Sequence, residues 1–108
     1  MTTNQFKTLL KKMGACKSAR DWVQRQIKKG KSPKEIWEGC NNEHYLFWLH
    51  TKLYVFDWDK YHDFKVEHDM YSLVTYSKEF LNLRKEFIRK STKYKDFHKA
   101  AIKRLKQK

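Results

Sequence analysis

One proline and three glycines punctuate the chain, and between them apolar residues recur at intervals of three and four. That spacing places apolar side chains on one face of a helix, whereas a half-buried strand alternates every second residue. No proline follows Pro33, so nothing in the second half forces a helix to break. The chain is expected to be all-α, a single compact domain over residues 1–108. It should hold about five to six helices, with a long helix in the second half and a frayed basic tail at the last few residues.

The local signals divide the chain as follows. Thr3 can cap a first helix carrying Phe6, Leu9, Leu10 and Met13, and Gly14 supplies a left-handed stop. Ser18 can cap a second with Trp22, Val23 and Ile27 on one face, ended by Gly30 after Lys28 and Lys29. Ser32-Pro33-Lys34-Glu35 is a capping box with proline at the first helical position; the short helix it opens carries Ile36 and Trp37 and stops near Gly39. Asn41 or Asn42 caps the most apolar segment, Tyr45 to Leu49, which is expected to be the central helix. Leu53 to Phe56 has strand propensity but no partner strand. Asp57 or Asp59 can cap a further helix. From Val66 the stripe Met70, Leu73, Val74, Ser77, Phe80, Leu81, Arg84, Phe87, Ile88 predicts one helix of more than six turns. Ser91 or Thr92 starts a last helix with Tyr94, Phe97, Ala101 and Leu105 on its core side.

An aromatic content of 16% within 40% hydrophobic residues is too rich in core formers for a disordered basic tail. No apolar run approaches the length of a membrane span, and no secretory leader is recognisable, so a cytoplasmic setting is expected. Cys16 and Cys40 lack a second pair at zinc-ligand spacing and are expected to be free, buried thiols.

Charge is the strongest pointer to a partner. The formal net charge is +13, from 25 Lys+Arg against 12 Asp+Glu. It is carried by the ends: residues 1–34 hold +9, residues 35–77 hold −5 and residues 78–108 hold +9. Folding could merge the two basic ends into one face. The C-terminal set is Lys78, Arg84, Lys85, Arg89, Lys90, Lys93, Lys95, Lys99, Lys103 and Arg104; Lys28, Lys29 and Lys31, with their neighbours in the first third, could extend it. Long cations on helices suit phosphate contact, which is independent of base sequence and sensitive to salt. The alternatives are a solvated face or a surface matched to an acidic protein. Tyr94 and Phe97, at helical spacing, are read as core residues rather than stacking platforms.

No catalytic residues and no cofactor are expected. His62, Asp63, His68 and Asp69 lie within two helical turns and are the weak candidates for metal ligands, the residual route to a metal-dependent hydrolase. A solvated helix face explains them more simply. The isolated glycines form no phosphate loop.

Three segments, Ala15-Cys16-Lys17-Ser18-Ala19-Arg20-Asp21-Trp22, Ile36-Trp37-Glu38-Gly39-Cys40 and Tyr45-Leu46-Phe47-Trp48-Leu49, follow in order the pattern A-C-x-x-A-x-x-W, W-x-x-C and an aromatic-rich W-L helix. Over roughly residues 6–50 the chain resembles a family of small helical phage and bacterial proteins, some of which carry an immunity-protein label. The resemblance implies that Cys16, Trp22, Trp37, Cys40 and Trp48 form one core, and that the protein works in a bacterial cytoplasm. The leading expectation is a non-enzymatic, phage or mobile-element protein that binds nucleic acid. The alternative is a phage-encoded inhibitor of an acidic host protein, of the defence, anti-CRISPR-like or toxin-immunity type.

Overall fold

A computed structural model describes residues 1–107. Its described residues form seven α-helices and no strand: α1 Thr3–Lys12, α2 Lys17–Lys28, α3 Pro33–Gly39, α4 Glu43–Lys52, α5 Trp58–Glu67, α6 Lys78–Ser91 and α7 Tyr94–Lys106. A 3₁₀ turn, Met70–Ser72, lies between α5 and α6. α7 continues to Lys106; Lys108, part of the expected basic tail, lies outside the described residues.

The punctuation marks explain most of these bounds. Ser32 and Glu35 close the capping box of α3, with bonds of 3.2 and 3.0 Å. Asn42, Asp57 and Ser77 each accept a backbone N–H at the start of α4, α5 and α6. The first cap is Thr2 rather than Thr3, because Gln5 three residues on completes a capping box with Thr2. Cys16, not Ser18, precedes α2, and Lys93 precedes α7, where Asp96 accepts the Lys93 N–H at 3.2 Å. Gly14 and Gly30 take φ of 77° and 82°, which only glycine adopts without steric cost.

The long second-half helix is two helices. α5 ends at Glu67, Asp69 adopts φ of 51°, and an irregular stretch runs to Ser77 before α6 begins. The Ser72 hydroxyl donates to the Asp69 carboxylate at 3.0 Å, a local bond that competes with helix continuation. Met70 and Leu73 still pack inward across the break, which is how the apolar spacing survives it. Leu53 to Phe56 is a turn leading into α5, with Tyr54 at φ of 58°.

Two apolar clusters fill the interior. One gathers Phe6, Leu9, Leu10, Val23, Ile36, Trp37, Leu49, Leu53, Phe97 and Ala101; the other gathers Cys40, Leu46, Phe56, Tyr61, Met70, Phe87 and Ile88. Trp22 packs against both, and α4 supplies Leu46 to one and Leu49 to the other, the central role its composition predicted. α4 packs on α6, while α1 packs on both α2 and α7.

Glu43 and Arg84 form a buried ion pair between α4 and α6, through Arg84 Nε to Oε1 and through Nη2 to Oε2 at 2.9 Å. The guanidinium lies 3.8 Å over the Phe47 ring. Burial works against the Arg84 charge, but the Glu43 hydrogen bonds and charge outweigh it and hold its pKa above the usual value. Removing one partner leaves an uncompensated charge in the interior. Glu43→Ala should therefore cost about 3–5 kcal/mol in urea unfolding, and an apolar replacement of both residues should recover most of it.

His50, on α4, is fully buried. Its Nδ1 lies 2.6 Å from the Leu46 carbonyl. Burial lowers its pKa to about 4, with the Arg89 charge adding to the effect and the Leu46 bond opposing it. The unfolded chain therefore binds the His50 proton near pH 6.5 while the folded chain refuses it until about pH 4. Stability should be full above pH 6.5 and fall between those values, by roughly 3 kcal/mol at the lower end. Urea midpoints measured across this window should show the fall, and His50→Phe should flatten it.

Candidate functional site

The packing of α7 decides where the charge goes. Phe97 and Ala101 are fully buried, so Lys95, Lys99 and Lys103, spaced four residues apart, form an exposed row on the outer side. α7 lies against α1, whose Lys7 and Lys11 are exposed and whose Lys12 ammonium donates to the Leu105 carbonyl at 3.4 Å. The two basic ends of the chain thus occupy adjacent helices.

Two grooves border α7. One, of about 690 Å³, is lined by Lys34, Trp37, Glu38, Arg89, Thr92, Lys93, Tyr94, Lys95 and His98, where Glu38 is the only acid. The other, of about 360 Å³, lies between α7 and the α4–α5 turn. It is lined by Lys52, Tyr54, Lys99, Lys103 and Arg104, together with Asp96, whose carboxylate is engaged by the Lys93 N–H.

Of the cations the sequence singled out, Lys93, Lys95, Lys99, Lys103 and Arg104 come together along α7. Arg84 is a correction: it pairs with Glu43 in the interior. Its place within the apolar stripe of α6 was the available signal. Arg89 is a second correction. Its Nη2 donates to the carbonyls of Trp37 at 2.7 Å, Glu38 at 3.2 Å and Cys40 at 2.7 Å, satisfying the acceptors left open where α3 ends. Burial lowers its pKa, and the neighbouring Cys40 and Glu38 oppose that. Lys78, Lys85 and Lys90 lie on α6 and line neither groove; Lys90 pairs with Glu86 at 2.7 Å. Lys28, Lys29 and Lys31 are exposed around the α2–α3 turn, also away from both grooves.

The side chains of the acidic histidine segment are engaged separately. His62 Nδ1 lies 3.0 Å from the Tyr71 hydroxyl, the His68 ring stacks 3.9 Å from Phe64, and Asp69 serves Ser72. His62, Asp63, His68 and Asp69 are all exposed, and among the described residues no three His, Cys, Asp or Glu side chains converge on a metal position.

Cys16, Trp22, Trp37, Cys40 and Trp48 do not pack as one core. They line an apolar cleft of about 330 Å³ together with Phe6, Leu10, Leu46 and Leu49. Both cysteines are free, but Cys16 is exposed rather than buried. A hydrogen bond from the Ser18 hydroxyl at 3.3 Å and the Ala19 backbone lowers its pKa, whereas burial raises that of Cys40. An aromatic disulfide reagent should therefore modify one thiol at once at neutral pH and the second only on unfolding, and Cys16→Ser should abolish the fast phase.

Sequence reasoning missed Lys52 and Tyr54. Lys52 sits in the acidic block, and Tyr54 reads as part of a strand-prone run. Their meeting with α7 depends on a tertiary contact that no local pattern encodes. No family model matches the chain, and neither a curated protein nor a solved structure is significantly similar to it.

Proposed function

We propose that the protein is a non-enzymatic binder of nucleic acid that contacts the phosphate backbone through the α1–α7 layer. The observation that carries this reading is the docking of α7 on α1, which makes neighbours of two helices that carry +4 and +3. The row Lys95, Lys99, Lys103, flanked by Lys93, Lys34 and Lys52 in the two grooves, presents ammonium groups at helical spacing. A chain backbone with regularly spaced phosphates is the polyanion that such a row fits. A phage or mobile-element origin accords with the resemblance over residues 6–50.

Affinity for a labelled oligonucleotide should fall steeply between about 50 and 200 mM salt. Neutralising Lys93, Lys95, Lys99 and Lys103 to Gln should reduce the slope of log affinity against log salt by about 3. Lys78→Gln with Lys90→Gln should leave it unchanged. Failure of both duplex and single strand to bind at low salt would end the proposal.

A second reading rests on a different surface. Trp58, Val66, Tyr71, Val74 and Tyr76 are exposed on α5 and the segment after it, within the acidic part of the chain. Exposed apolar and aromatic side chains of this kind suit a host-protein target of an inhibitor. Under that reading, nuclease-treated lysate yields one stoichiometric partner, and Trp58→Ala with Tyr71→Ala releases it.

A further inference from the structure

Three helices end in the same way. At α1, Gly14 is left-handed, with Ala15 N–H bonded to the Leu10 carbonyl and Gly14 N–H to that of Lys11. At α2, Gly30 is left-handed, with Lys31 N–H on Gln26 and Gly30 N–H on Ile27. At α4 the identical pair runs from Val55 to His50 and from Tyr54 to Thr51, but the left-handed residue is a tyrosine. An L side chain in this conformation is strained where glycine is not, and glycine is the usual occupant of the position. Burial does not offset that strain, because Tyr54 is 92% exposed. Tyr76 differs: it is also left-handed, yet its ring lies against Phe80 and His44, 6.1 and 6.2 Å away.

Left-handed strain that no burial offsets fits a residue whose contact lies outside the fold. Tyr54 borders the groove that also holds Lys52, Lys99, Lys103 and Arg104. An exposed ring set among cations matches a ligand with a flat π-face next to an anion. We propose that Tyr54 stacks on an unpaired nucleobase while these cations hold the adjoining phosphates, so that the protein prefers single-stranded nucleic acid to duplex. The inference rests on the nucleic-acid reading above. In a duplex the base faces are covered by their neighbours; in a single strand they are free to stack, with a gain of roughly 5- to 150-fold in affinity per base.

The test uses the full chain, its Tyr54→Gly and Tyr54→Phe variants, and three labelled probes: an oligothymidine, a strand of the same length that is abasic at every position, and a hairpin duplex. Tyr54→Gly should melt about 4–9 °C higher, since it relieves the left-handed strain. It should bind oligothymidine at least about fivefold more weakly while its duplex affinity and salt slope stay as in the wild type. Tyr54→Phe should keep the wild-type preference. The abasic strand should bind the wild type and Tyr54→Gly equally, because it has no base to stack. Equal weakening on all three probes, or no change on oligothymidine, overturns the stacking proposal alone. Wild-type protein that binds no probe at low salt overturns the nucleic-acid reading and this inference with it.

Discussion

Phe97 holds the two ends of the chain together. It is wholly buried, stacked 5.6 Å from Trp37 and tilted against Phe6 at 6.2 Å, so it joins α7 to α3 and α1 in a single contact set. Burying a side chain of this size contributes about 2–3 kcal/mol in transfer alone. The docking it drives opposes electrostatics, because it brings together helices that carry +3 and +4. The result is a helix layer whose apolar side is satisfied and whose outer side concentrates repulsive charge. A polyanion laid on that side relieves the repulsion, which links the packing of the N- and C-terminal helices directly to the proposed function.

The cations divide by chemistry between interior and surface. The cations that engage several internal acceptors at once are arginines: Arg84 makes a two-pronged contact with Glu43, and Arg89 gathers three carbonyls at the end of α3. A planar fork of donors suits several fixed acceptors, whereas the point charge of a lysine gains little from burial. The lysines of α7 stay outside. Arg84 locks α6 to α4, and Arg89 ties α6 to the end of α3, so the half of the molecule that does not carry the basic layer is braced by charge as well as by apolar packing.

Local chemistry was readable where one short segment contains all its partners. Ser32 and Glu35 satisfy each other within one turn, Gly14 and Gly30 stand where φ must be positive, and the apolar circumference of α4 announces its central position. Periodicity failed at Asp69 because it counts spacing and not continuity: Met70 and Leu73 face inward from a 3₁₀ turn and an extended residue as well as they would from a helix. Partnerships across the chain were invisible. Glu43 meets Arg84 across 41 positions, and this pairing turned a candidate binding residue into an internal one. The candidate site followed the same rule. The row on α7 was legible from its spacing, but the addition of Lys52 and Tyr54 required knowing that the α4–α5 turn closes against that helix.

The central claim is that one surface, made from the two ends of the chain and the α4–α5 turn, is where a nucleic acid lies. Backbone amide chemical shifts followed by NMR during titration with a short oligonucleotide test this most directly. The shifts should change along α1, across residues 52–55 and along α7 from Lys93 to Lys106, and stay fixed in α5 and residues 70–76. Changes confined to α5 and residues 70–76, or none at all at low salt, would contradict it.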